Sequence, residues 1–226
     1  NIDQVLQTGY LTRERFLAAW IILFLLPGLY LLGFLRMEGI KRDETVGVAR
    51  AIIGAVFLIF SVSLIPGMFG GKLGELDAYV PLASESSFGA NNTGGVEKLA
   101  WMKNQYKEAI AKAKAENKLV LVNFTGYACT NCHWMKANMF PRTEVAAALK
   151  DLVLVELYTD GTDADSEKNQ DLQNSKFNTV AIPFYALLDG EERVVATFPR
   201  LTKDTKEFVA FLRTGTTPGT QTASVQ

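Results

Sequence analysis

The two cysteines and the single histidine of this chain fall together in one stretch, TGYACTNCHWMK, residues 125–136. Cys129 and Cys132 are separated by Thr130 and Asn131. That spacing permits three chemistries: a couple cycling between dithiol and disulfide, half of a metal site, or an inert cross-link. A structural metal site needs about four ligands. Here there is no second cysteine pair, and His133 is the sole imidazole. A two-thiolate site for a soft ion such as Cu(I) is the alternative that stays open. A redox couple needs nothing more than the two thiols. Placed at the mouth of a helix, Cys129 meets free N–H groups that favour its thiolate, which makes it the attacking sulfur. Cys132, one turn further in, can then attack the mixed disulfide. His133 reads as a partly exposed helix residue that, as a cation, would modestly favour the Cys129 thiolate.

A couple of this kind needs a strand to aim it and a helix to follow it. LVLVNF (119–124) is a continuous apolar run of strand length, as is LVLVEL (152–157), and both suit strands covered on two faces. A helix is expected after the cysteines, broken at Pro141 before a second one that runs through Leu149. Residues 165–176 form a further expected helix. PFYALL, the turn residues Asp189 and Gly190, and RVVATF predict an antiparallel hairpin. A last helix covers 203–213. Leu99, Met102, Tyr106, Ile110 and Ala113 recur at helical spacing, with Lys103, Lys107, Lys112 and Lys114 on a solvated face. The expected order is α-β-α-β-α-β-β-α. Asp160, Asp163, Asp165 and Glu167 lack the spacing of a calcium loop and read as a solvated loop with a helix N-cap. Ile182-Pro183 opens a strand, and an X-Pro bond is where a cis peptide belongs. A cis turn facing Cys129 would leave the Ile182 backbone open to an extended substrate segment.

The N-terminal third is different in kind. Residues 16–35 run 20 positions without a charge and residues 51–71 run 21. At about 1.5 Å per residue each can cross a hydrocarbon core about 30 Å thick. The first run is too long for the apolar part of a signal peptide, and a second follows it. Two transmembrane helices are therefore expected, at about 16–35 and 48–69 within residues 1–71. A flexible linker (72–97), a globular domain (98–214) and a disordered tail (215–226) should follow. The connection between the helices carries Arg36, Lys41, Arg42 and Arg50, against Arg13 and Arg15 before them and Lys72 after. Positive loops stay inside, so the globular domain is expected outside the cytoplasm, where thiols can cycle through disulfides. The net charge of −1 and pI near 6.0 give no reason to expect a nucleic-acid partner.

With VLVNFTGYACTNCHWMK, the Ile182-Pro183-Phe184-Tyr185 run followed by LLDG, and two spans ahead of a linker, the chain resembles the C-terminal portion of a DsbD-type thiol:disulfide interchange protein. The resemblance implies a thioredoxin fold over residues 98–213, with Cys129 as nucleophile, Cys132 as resolving thiol and Pro183 as the cis-proline. It implies a membrane-anchored disulfide reductase of the bacterial inner membrane with its thioredoxin-like domain in the periplasm. The partners implied are periplasmic disulfide isomerases and cytochrome c maturation factors. The couple itself would be the redox group, with no separate cofactor and no metal. The sequence also departs from the family. Neither span holds a cysteine, so the membrane dithiol that donates electrons is expected upstream or in a partner chain. Ala128 replaces the usual aromatic before the first cysteine, with Tyr127 one place earlier. Asn123 stands where these domains usually keep a buried aspartate that takes the resolving thiol's proton. Glu156 falls where they usually carry a lysine. The expectation is that the acid has moved to the neighbouring strand and that Glu156 accepts the proton of Cys132, the alternative being a residue at its strand's solvent edge.

The charge bias predicts that residues 36–50 face the cytoplasm. In a Cys129→Ser/Cys132→Ser background, Ala90→Cys on intact cells should react with an impermeant maleimide and Glu44→Cys should not. The reverse pattern would invert the topology.

Overall fold

A computed structural model describes residues 10–35, 46–81 and 99–215. Most of the charged connection, most of the expected linker and nearly all of the expected tail lie outside the described residues. The chain divides into two compact units.

The first unit is a pair of helices, α1 (Arg13–Leu31) and α2 (Val48–Met68), each long and apolar enough to cross a membrane. α1 begins and ends earlier than the uncharged run implied. Thr12 caps its first turn through a bond from Arg15 N, and Gly33 leaves the helix at φ +80°. The helices run antiparallel: Arg13 reaches Gly67, Leu17 packs with Leu64 and Ser61 Oγ donates to Ile21 O. At Gly28 and Gly54 the backbones come so close that a Cβ on either would sit 3.2 Å from the other's carbonyl oxygen. The outer flanks keep large apolar side chains exposed, among them Leu23, Ile52, Val56 and Ile59.

At the open end of this pair, Arg13 is only 2% exposed. Its guanidinium donates to Gly67 O (3.1 Å), Pro81 O (2.9 Å) and Asp77 Oδ1 (2.7 Å). Asp77, in a 3₁₀ turn over Gly74–Ala78, also accepts from Leu73 N at 2.8 Å. Residues 72–81, expected as the start of a flexible linker, are thus folded onto the helices. No local pattern in this stretch marks the buried ion pair, whose other half lies 64 residues away.

The second unit is built on a five-stranded sheet in the order β1-β3-β2-β4-β5. The strands are β1 (Trp101–Lys103), β2 (Val120–Thr125), β3 (Val153–Tyr158), β4 (Phe184–Leu188) and β5 (Val194–Phe198). β1, β3 and β2 pair in parallel, whereas β4 runs antiparallel to β2 and β5 to β4. On one face Val120, Val122, Phe124, Val155, Leu157 and Ala186 pack under α3 (Tyr106–Glu116) and α6 (Ala164–Phe177). The other face carries Asn123, Glu156 and Tyr185 in register. Over it lie α4 (Thr130–Trp134), α5 (Thr143–Lys150) and α7 (Thr205–Leu212), with Tyr185 edge-on to Phe208 at 5.3 Å and to Phe140 at 6.1 Å. α4 widens into a π-helical turn over Met135–Met139, closed by Phe140 N donating to Met135 O, before Pro141.

One expected helix is shorter than its periodicity implied. Met102 and its neighbours form β1, and the helix starts only at Tyr106. Asn104 breaks the two apart at φ +55°, and its side chain binds Tyr158 N and Asn169 Nδ2. A three-residue strand is too short to show a period of its own. The remaining elements follow the expected order, and the unit is a thioredoxin-like α/β fold with a mixed sheet.

Candidate active site

β2 is buried along its whole length and releases the chain at Gly126, three residues before Cys129. Cys129 caps α4 with extended backbone, and its Sγ accepts a hydrogen bond from Cys132 N at 3.2 Å. The two cysteines form a disulfide, the oxidised state of the couple. Cys132 is 1% exposed, whereas Cys129 is half-buried and flanked by the exposed Ala128 and Thr130. An incoming sulfur can therefore reach Cys129, while Cys132 is positioned to act only on its neighbour. The N–H that points at Cys129 Sγ favours negative charge there once the disulfide opens.

Pro183 is buried and joined to Ile182 by a cis peptide bond. It directly precedes β4, whose Phe184 pairs with Phe124, so the proline lies at the sheet end from which the cysteine loop leaves. Gly126 links the two segments. A Cβ there would come within 2.7 Å of Ile182 Cδ1 and would also strike the Asp160 carboxylate. The buried Gln173 holds the same loop through Nε2 to Ala181 O at 2.8 Å, a residue that helical periodicity does not mark as special.

Beneath α4, Asn123 is 1% exposed, and its Oδ1 has no hydrogen-bond partner. Its neighbours in register are Glu156 and Tyr185. Glu156 lies inside the sheet between Lys103 and Asn123, not at a sheet edge. Its Oε2 is 2.6 Å from Lys136 Nζ, and Oε1 accepts from Tyr158 Oη at 3.3 Å. Lys136 also donates to Tyr158 Oη at 2.9 Å. Lys136, one helical turn after Cys132, escaped the sequence reading, because nothing in a lone lysine announces its partner.

Two expectations need correction. His133 is buried rather than partly exposed, and burial followed by the Lys136 charge holds its pKa below the ordinary 6.5, against a hydrogen bond with the Tyr127 backbone. It is therefore neutral and gives the Cys129 thiolate no cationic help. Asp160, read as part of a solvated acidic loop, instead accepts from Tyr127 N at 2.6 Å and Ala128 N at 3.0 Å. Asp163 does cap α6, as its side chain accepts from Asp165 N and Ser166 N. Next to the loop, Tyr127 stacks on Tyr158 at 4.1 Å, and Lys103 Nζ lies 4.9 Å and 4.7 Å from their ring centres.

A thioredoxin-like fold with a Cys-x-x-Cys disulfide at this junction defines a thiol-disulfide oxidoreductase site. Residues 100–190 match the profile of a family described as thioredoxin-like. Among solved structures, the chain is similar to one titled DsbH oxidoreductase, at 20% identity and a TM-score of 0.45, covering 54% of this chain and 88% of that one. It is also similar to a thioredoxin from Thermus thermophilus, at 23% identity and a TM-score of 0.42, covering 52% and 86%. No sequence among the curated proteins matches.

The neutral His133 makes stability depend on pH. Its folded pKa is depressed, so between that value and about 6.5 the unfolded chain binds more protons, and stability falls as pH drops through this window. Urea midpoints of the domain transition should decline from pH 7 to pH 5, and decline less in His133→Gln. Equal slopes for both proteins would show that His133 does not report on the pH.

Proposed function

We propose that the chain is a membrane-anchored protein-disulfide reductase of the DsbD type. The observation that carries this reading is the asymmetric burial of the couple: an accessible Cys129 above a sealed Cys132, beside a cis-proline. In the reduced protein the Cys129 thiolate attacks one sulfur of a substrate disulfide. That S–S bond breaks, a mixed disulfide forms and the first substrate thiolate leaves. Cys132 then loses its proton and attacks Cys129 Sγ. The second substrate thiol departs and the Cys129–Cys132 disulfide remains, two electrons having passed to the substrate. Substrates of the expected class are periplasmic thiol proteins such as disulfide isomerases and cytochrome c maturation factors. A membrane dithiol, upstream or in a partner chain, restores the couple by the same exchange. The two apolar helices hold the domain at the bilayer, and the charge bias of their flanks favours its outer face in a bacterial inner membrane.

Glu156 is the proposed acceptor of the Cys132 proton. It shares the buried face of the sheet under α4 and is a carboxylate where Asn123 cannot titrate. The pairing with Lys136 gives it a structural role as well, and the two roles separate by experiment. Glu156→Gln should slow mixed-disulfide resolution and remove its pH dependence between pH 6 and 9 with the fold intact. Rates that match the parent across that range would leave only the structural role.

The attacking and resolving assignments have their own test. Cys132→Ala keeps the more accessible thiol and should accumulate mixed disulfides with partner proteins on a non-reducing gel, while Cys129→Ala should accumulate few. Equal trapping by both would reject the assignment.

A further inference from the structure

The loop that delivers Cys129 is held by a carboxylate from outside it. Asp160 follows β3, and its two oxygens accept from consecutive N–H groups, Tyr127 N at 2.6 Å and Ala128 N at 3.0 Å. Ala128 is the residue immediately before the nucleophile. The fit is close, because Gly126 cannot take a Cβ without striking the same carboxylate. We propose that Asp160 sets the acidity of Cys129 and so holds the couple toward the reducing end, a role that rests on the thiol-disulfide reading above.

The direction follows from elementary electrostatics. A dithiol becomes more oxidising in its disulfide form as its thiolate is stabilised, since stabilising the reduced state draws electrons in. A fixed negative charge beside the loop disfavours the Cys129 thiolate. The dithiol is then the less stable partner and gives its electrons up more readily. Other charges share this neighbourhood, with Lys136 acting on His133 and Asp163 on Tyr127. Lys136 is taken up by Glu156, and Lys103 lies over the rings of Tyr127 and Tyr158. His133 is neutral, and Asp163 is directed to the first turn of α6. The influence of Asp160 extends through this neighbourhood. It acts on His133, the residue after Cys132, and it adds to the burial and the Asp163 charge that push the Tyr127 phenol up to about 12. The two hydrogen bonds also fix the geometry of the approach to Cys129, so charge and position come from one side chain.

The chain has no thiols besides Cys129 and Cys132, which makes the test direct on this chain in detergent. Alkylation of the reduced protein by iodoacetamide, followed against pH, reports the acidity of Cys129. Equilibration with oxidised glutathione, yielding protein disulfide and two glutathione thiols, reports the potential. Asp160→Asn keeps size and one acceptor but removes the charge. It should move the alkylation midpoint to lower pH and make the couple about tenfold less reducing, about 30 mV upward. Asp160→Glu should stay near the parent, as should Asp165→Asn in the same stretch. A midpoint and an equilibrium constant within twofold of the parent for Asp160→Asn, or a shift the other way, overturn the proposal. If Asp160→Asn does not fold by circular dichroism, Asp160→Glu decides: retained parent values support the role of charge and altered values overturn it. Neither measurement involves a partner protein, so a failure here is distinguishable from a failure of Cys132→Ala to trap substrates.

Discussion

Burial of β2 on both faces is the constraint from which the rest of the domain follows. All six of its residues are closed off from solvent, and it pairs with β3 on one side and β4 on the other. A strand enclosed in this way has neither freedom to slide nor an edge to expose, and its register is held by the packing on both of its faces. Whatever hangs from its last residue is placed to the same tolerance. The cysteine loop hangs there, and the segment with the cis-proline enters β4 at the same end. The active site is thus a property of the sheet's termination, and the core packing of Phe124, Val122 and Val120 is what aims the sulfur.

The polar residues on the helix-covered face show how such a core tolerates charge. Glu156 and Lys136 neutralise one another with Tyr158 between them, while Asn123 alongside leaves an oxygen unmatched. A half-buried pair of opposite charges such as this one stabilises little unless its hydrogen bonds are complete. Here the tyrosine supplies the third partner. Lys136 follows Cys132 by one helical turn, and its charge adds to the burial that holds the His133 pKa below 6.5.

Much of this was legible beforehand. β2 and β3 announced themselves as uninterrupted apolar runs, the hairpin by Asp189-Gly190, and the site by a cysteine pair followed at a distance by Ile182-Pro183. What escaped shares a physical cause. β1 has three residues, and Met102 happens to fall in phase with the helix beyond it. The contacts of Asp160, Lys136 and Asp77 depend on residues far away in sequence, that of Gln173 on a loop eight residues on, and a single polar side chain carries no mark of its partner. His133 was misjudged because its burial comes from packing around α4, which no local pattern encodes. Apolar periodicity is a property of a segment, whereas a polar contact is a property of a pair.

The ion pair between Arg13 and Asp77 has a consequence for the order in which the chain is made. The acceptors of Arg13 at Gly67 and Pro81 lie 54 and 68 residues downstream. Translation delivers the arginine first; Gly67 O comes only with the end of the second helix, and Asp77 and Pro81 O come with the turn after it. Through that interval the guanidinium has to stay hydrated. The helical pair is therefore latched last, from its open end, when residues 71–81 arrive to close over the charge.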